Sequence, residues 1–217
     1  MKRRTFLARS AAAAVAGSVL RPSLFAAAAK AGRPPRLILR SSWQSVNIGD
    51  IGHTPGALSL LEKHFPEAEI TLWPGSLGHG SRDLLTKGYP RLKIAEGSLG
   101  QDNKPTTPAL AKAWADADLY LSGSGSGVPA SNHAVAFQKA TGKPVGVFGV
   151  SNDPISGIGG NRDPEGGTLA SIRERALKLS PTHLSTDLRY IMDRAAFFFC
   201  RDTISRDYLQ AQGVKTP

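Results

Sequence analysis

Arg201 lies between an apolar run, residues 195–200, and a segment in which Ile204, Tyr208 and Leu209 recur at helical spacing. A short apolar run of that length reads as a buried strand. Asp202 or Thr203 can cap the helix that follows, since a short side-chain oxygen accepts from the free N–H groups of the first turn. Gly213 is placed to end that helix in the left-handed region. Arg201 then sits at the carboxyl end of a strand, the edge where open α/β sheets bind ligands. A guanidinium beside free N–H groups suits a phosphate or a carboxylate. The alternative reading pairs Arg201 with Asp202 or a neighbouring acid at the sheet edge.

Two further stretches have residue types that suit ligand binding. In Asn47-Ile48-Gly49-Asp50-Ile51-Gly52-His53, glycines let the backbone approach a ligand, and the helix expected beyond points its N–H groups at the same place. Asp50 can cap, orient, or accept from a sugar hydroxyl; the plain alternative is a turn and helix cap. The second stretch is Gly123-Ser124-Gly125-Ser126-Gly127, after an apolar run and before a helical segment. It is not a dinucleotide fingerprint, because Val128 stands where the last glycine is needed, and it has no P-loop lysine. Its centre is Gly125 rather than serine, so it is not a nucleophile elbow. What remains is a flexible, donor-rich loop on the same edge as Arg201.

Other reactive residue types are scattered. His53, His64, His79, His133 and His183 form no i, i+4 pair, which argues against a zinc hydrolase. His53 and His79, in glycine-rich loops, are the better site candidates among them. Asp153, Asp163 and Glu165 match no calcium loop. Cys200 is the only cysteine, so neither an intramolecular disulfide nor a cysteine metal site is available. Its apolar surroundings argue for packing. The reading requires no metal and no cofactor.

These segments are carried by an alternating chain. Expected strands lie at residues 37–39, 69–73, 91–95, 119–121, 145–150 and 195–200. Expected helices lie at residues 55–65, 108–117 and 131–141, with two more between 168 and 195 and a last one after Arg201. The strands are apolar runs rather than period-two stripes. That is the mark of a parallel sheet covered on both faces, an α/β doubly wound fold. After Gly213, Val214 begins what reads as a further strand, so a C-terminal continuation is expected.

Residues 1–31 read differently. Lys2-Arg3-Arg4-Thr5-Phe6-Leu7, an alanine-rich run over 11–20 and the small-x-small pattern Ala29-Lys30-Ala31 are the parts of a twin-arginine export signal. The expectation is export through the Tat translocase to the periplasm or cell envelope, with residues 32–217 as the mature α/β domain. The run is too short to span a membrane, so no integral membrane protein is expected after processing. The leader also accounts for much of the charge. Of 27 basic residues it holds six and no acid, so residues 32–217 carry 21 basic against 17 acidic residues, net +4. The whole-chain charge of +10 is therefore poor evidence for a nucleic-acid partner.

In order along the chain, Asn47-x-Gly49-Asp50, Ala117-Asp118-Leu119-Tyr120-Leu121-Ser122-Gly123-Ser124-Gly125, Gly142-Lys143-Pro144-Val145 and Arg201-Asp202-x-x-Ser205-x-x-x-Leu209-x-x-x-Gly213-Val214 resemble the polysaccharide pyruvyl transferase family. The resemblance spans about residues 40–214. It implies one Rossmann-like half of a two-domain transferase of GT-B type. It further implies phosphoenolpyruvate as donor, a sugar of a cell-surface polysaccharide as acceptor, and a pyruvate ketal as product. Arg201 would contact the donor anion; Asn47, Gly49 and Asp50 match the family's first loop, and Gly123, Ser124 and Gly125 its middle one. Serines alternate here where the family carries a glycine triplet. The family's further basic residues and catalytic histidine belong to a C-terminal half. Phosphoenolpyruvate is made in the cytoplasm, so either the leader is not used and the protein stays cytoplasmic, or it has another donor, or it is a non-pyruvylating relative. The alternatives to pyruvyl transfer are an exported non-catalytic carbohydrate-binding relative and a nucleotide-sugar glycosyltransferase of GT-B type.

Overall fold

Leu37-Ile38-Leu39 is apolar at every position, and both faces of the strand it forms are buried. Strand β1 (Arg36–Ser41) sends Leu37 and Leu39 to one side of the sheet and Ile38 to the other. The computed structural model describes residues 25–123, 125–152, 168–179 and 184–214. β1 is followed by α2 (Ile48–His64), β2 (Glu69–Pro74), α3 (Ser81–Gly88), β3 (Lys93–Ile94), α4 (Pro108–Asp116) and β4 (Leu119–Ser122). Then come β5 (Gly125–Ser126), α5 (Ser131–Thr141), β6 (Val145–Ser151), α6 (Leu169–Leu177), α7 (Thr186–Arg194), β7 (Phe197–Cys200) and α8 (Thr203–Ala211). A short helix, α1 (Ala26–Lys30), precedes β1.

All strand pairs are parallel. Val150 of β6 pairs with Gly125 and with Cys200, and Gly146 pairs with Leu121 and with Phe197. β4 and β5 therefore lie end to end on one edge of β6, and β7 lies on the other. The sheet reads β3-β2-β1-(β4, β5)-β6-β7. This is the Rossmann-type order, which reverses direction between β1 and β4.

The two faces carry separate cores. Leu37, Leu39, Leu72, Leu119, Leu121 and Phe197 pack with Leu58 and Leu85 from α2 and α3. Ile38, Trp73, Tyr120, Val145, Val147 and Phe198 pack with Trp114, Phe137, Ile191, Met192 and Tyr208 from α4, α5, α7 and α8. The α/β doubly wound expectation holds. Phe197 lies over Gly146 in the neighbouring strand, where a β-carbon would have no room. Phe25 and Ala28, from the end of the expected leader, pack on the α2 face, with the Phe25 ring edge-on to Phe65 at 5.8 Å. No described helix is long and apolar enough to cross a membrane.

Several boundaries differ from the sequence reading. Residues 48–53 are the first turns of α2 rather than a loop. Asn47 makes the earlier start possible: its side chain accepts from the Gly49 N–H at 2.9 Å, and Pro55 is accommodated inside the helix. Gly125 and Ser126 pair with β6, so this part of the expected loop is a strand. α3 was not anticipated, because its short stretch carries only Leu84 and Leu85 at the apolar positions. Elsewhere the caps are as expected: Asp202 caps α8 and Gly213 has φ of 76°. The helix expected over 131–141 is α5, and Gly142 ends it at φ of 68°.

Candidate functional site at the carboxyl rim

The two ends of the sheet treat their cations differently. At the amino end, Arg33 makes a paired contact with Asp118 at 2.7 and 2.8 Å, and Glu69 meets both Arg36 at 3.5 Å and Lys93 at 2.8 Å. At the carboxyl end stand Arg40 on β1 and Arg201 just past β7. Among the described residues, no carboxylate lies within ion-pair distance of either.

Arg201 is exposed, and its placement comes from three residues. Its Nε–H donates to Ser151 Oγ at 2.7 Å, at the end of β6. Ser151 Oγ in turn donates to Asp202 Oδ2 at 2.6 Å. Asp202 Oδ1 accepts from the Ser205 N–H at 2.7 Å, which caps α8, and its Oδ2 also accepts from Ser205 Oγ at 2.9 Å. Burial pushes the Asp202 carboxyl up, but the hydrogen bonds from Ser151 and Ser205, with the charge of Arg201, hold it below the usual carboxylate range. Asp202 is thus occupied as a cap and relay rather than as the direct partner of Arg201. A groove of about 570 Å³ opens here, lined in part by Cys200, Arg201, Thr203, Arg206 and Gln210. The Cys200 thiol is pushed up to about 11 by burial and the nearby Asp202 charge, partly offset by Arg206, in keeping with a packing role.

A second cluster surrounds Arg40, beside the point where the strand order reverses. Its guanidinium lies 4.5 Å from the centre of the Trp43 ring and 4.7 Å from that of Trp73. Nη1–H donates to the Trp73 carbonyl at 3.1 Å, and Nε–H points to His133 Nδ1 at 3.4 Å. The His133 ring stacks on Trp73 at 4.7 Å. Burial, and then the Arg40 charge, push His133 down to about 4, so it is a neutral acceptor near pH 7. Burial likewise lowers Arg40, with a small opposing effect of Tyr120. Backbone segments also approach closely at the ends of these strands. A β-carbon on Gly123 would fall 2.7 Å from Ser41 Oγ and 3.1 Å from the Arg40 carbonyl; one on Gly75 would fall 2.9 Å from the Ser42 carbonyl.

The remaining expected site residues divide. Asn47 is exposed and committed as the α2 cap; Gly49 and Asp50 sit in the first turn of that helix. Gly123 is buried against β1, and Gly125 backs onto Pro129. Ser124 lies outside the described residues, as do Asp153, Asp163, Glu165, His183 and residues 1–24. Asn47 follows β1 and Gly123 follows β4, whereas Arg201 lies at β7, three strand spacings from β1, or roughly 14 Å. They share one rim, but the groove at Arg201 is lined by none of residues 47, 49, 50, 123 and 125. His53 lies in α2, and its buried Nδ1 has no partner among the described residues. His79 has φ of 52° and its Nδ1 meets Ser45 Oγ at 3.0 Å. Among the described residues, no three His, Cys, Asp or Glu side chains group so as to hold a metal.

Sequence reasoning missed Arg40, Trp43, Trp73 and His133 as a unit. One signal was available: a strand apolar on both faces, Leu37-Ile38-Leu39, runs into a charge that the same burial must cover. Comparison with protein-family models finds no match to this chain, and comparison with curated proteins finds none either.

Proposed function

We propose that this chain is a polysaccharide pyruvyl transferase-like protein whose described domain binds the donor anion at its carboxyl rim. The observation that carries the reading is Arg201. It is a guanidinium with no carboxylate in ion-pair distance among the described residues, oriented by Ser151 and Asp202, at the mouth of a groove on the ligand-binding edge of a Rossmann-type sheet. The ordered motif resemblance supplies the chemistry. The methylene carbon of phosphoenolpyruvate takes a proton, and a sugar hydroxyl adds to the adjacent carbon, which bears the phosphate, and loses its own proton. A second hydroxyl then displaces phosphate from that carbon and gives up its proton to it, leaving a pyruvate ketal and inorganic hydrogen phosphate. Guanidinium groups would hold the phosphate and carboxylate as charge gathers on the leaving group.

Export by the Tat translocase through residues 1–31 belongs to the same proposal. Processing after Ala31 would remove Phe25 and Ala28 from the α2 face.

The test is incubation of the full-length protein with phosphoenolpyruvate and β-linked acceptor sugars, following phosphate release. Release that needs acceptor and is lost in Arg201→Ala supports the reading. Glycan binding without release identifies a non-catalytic carbohydrate-binding relative. Release of nucleoside diphosphate from a sugar nucleotide identifies a glycosyltransferase. Either of the last two results overturns pyruvyl transfer.

A further inference from the structure

Arg40 is a buried cation with no acid in ion-pair distance among the described residues. It is 8% exposed. A guanidinium carries five N–H groups. One points to His133 and one donates to the Trp73 carbonyl, so three have no acceptor among the described residues. Taking a cation out of water is costly unless it is paired. The Trp43 and Trp73 rings recover part of that cost through the guanidinium faces. They offer nothing to the N–H groups in its plane. Those groups match an acceptor with two coplanar oxygens, which a carboxylate or a phosphate provides.

A second observation points to the same place. Ser122 of β4 is in register with Arg40 of β1, so the two side chains leave the same face of the sheet. Ser122 is 1% exposed, and its hydroxyl has no hydrogen-bond partner among the described residues. Tyr120, two residues earlier and on that same face, is fully buried, and its hydroxyl also has no partner among the described residues. Buried polar groups are nearly always hydrogen-bonded, so hydroxyls without described partners on the face that carries Arg40 call for a polar occupant. The cluster also lies where ligands enter Rossmann-type sheets, between the carboxyl ends of β1 and β4.

We propose that Arg40 is the anion-holding residue of a second binding site, in the β1–β4 crevice. It takes the carboxylate or phosphate group of a small organic anion, with the Ser122 hydroxyl as a further donor and Trp43 as the cover. This site is distinct from Arg201. Three strand spacings of about 4.8 Å separate β1 from β7, and the groove at Arg201 is lined by none of Arg40, Ser122 and Trp43. The two guanidiniums hold two ligands, or the two ends of one extended ligand. The inference does not rest on pyruvyl transfer.

The test uses tryptophan fluorescence of the full chain, since two of its three tryptophans flank Arg40. Inorganic phosphate, pyruvate and phosphoenolpyruvate are titrated at matched ionic strength; the first two distinguish phosphate from carboxylate recognition. A saturable change is expected with at least one of them. It should persist in Arg201→Ala and weaken roughly 10- to 100-fold in Arg40→Met, the loss typical of charge-assisted hydrogen bonds. Arg40→Met should melt no lower than the parent, because it removes an unpaired buried charge and keeps an apolar body between the rings. Absence of a saturable response to all three anions overturns the proposal. So does a response that survives in Arg40→Met, or one lost only in Arg201→Ala. A lowered melting temperature with unchanged anion affinity would make Arg40 purely structural. If Arg40→Met does not fold, Ser122→Ala decides: weakened anion affinity supports the site, and unchanged affinity overturns it.

Discussion

Replacing Asp202 by alanine should unfasten the rim at β6 and β7. Three contacts are lost: the α8 cap to the Ser205 N–H at 2.7 Å, the bond from Ser151 Oγ at 2.6 Å and the bond from Ser205 Oγ at 2.9 Å. A lost N-cap costs about 1 kcal/mol, and a hydrogen bond to a charged group contributes about 1.5–3 kcal/mol. Asp202 is only half-buried and the contacts share one carboxylate, so the net loss should be about 2–4 kcal/mol rather than their sum. In a domain of this size that lowers Tm by about 4–16 °C. Asp202→Asn keeps a cap acceptor but loses the charge, and should fall between alanine and the parent.

The pH dependence gives a sharper check. The folded carboxyl is held below its ordinary value, so its contribution is complete above the unfolded pKa of about 3.9 and fades as pH falls through the folded one. Thermal melts followed by circular dichroism at pH 7 and pH 3 should show the parent–alanine gap narrowing in acid. A gap of equal size at both pH values, or none at pH 7, would refute the assignment of Asp202 as the charged clasp. Because the same carboxylate holds the Ser151 hydroxyl that meets Arg201, the alanine variant should also weaken anion binding at Arg201 without touching the guanidinium.

Gly123→Ala forces a β-carbon to within 2.7 Å of Ser41 Oγ, and Ser41 is buried and bonded to Thr54. Denaturant midpoints should show a loss of about 1–3 kcal/mol, and Ser41→Gly in the same chain should restore part of it. His133 is held down to about 4 by burial and by Arg40, so the unfolded chain binds the proton more readily. Stability should therefore fall as pH drops from about 6.5 toward the folded value. That slope should flatten in His133→Gln, as read from melts between pH 7 and 4.5.

The local pattern of this chain determined its class of fold. Apolar runs of strand length separated by capped helical segments are readable one window at a time, since burial on both faces leaves no polar stripe. Asp202 as a cap, Gly142 and Gly213 as helix ends, and Arg201 past a strand all follow from such windows. Tertiary structure decided what no window contains. Parallel pairing set β1 beside β4 and brought Arg40 to Trp73, Ser122 and His133, which are 33, 82 and 93 positions away in the chain. It also set β6 beside β7, which gave Arg201 its contact with Ser151. The start of α2 at Asn47 rather than Pro55, and the pairing of Gly125 with β6, were likewise settled by the surrounding structure. A side chain's solvation and charge partners depend on which strands become neighbours, and that follows from closing the sheet around both cores. The sequence therefore made Arg201 visible as a candidate cation, while only the packed sheet revealed that Arg40 is buried with no described acid beside it.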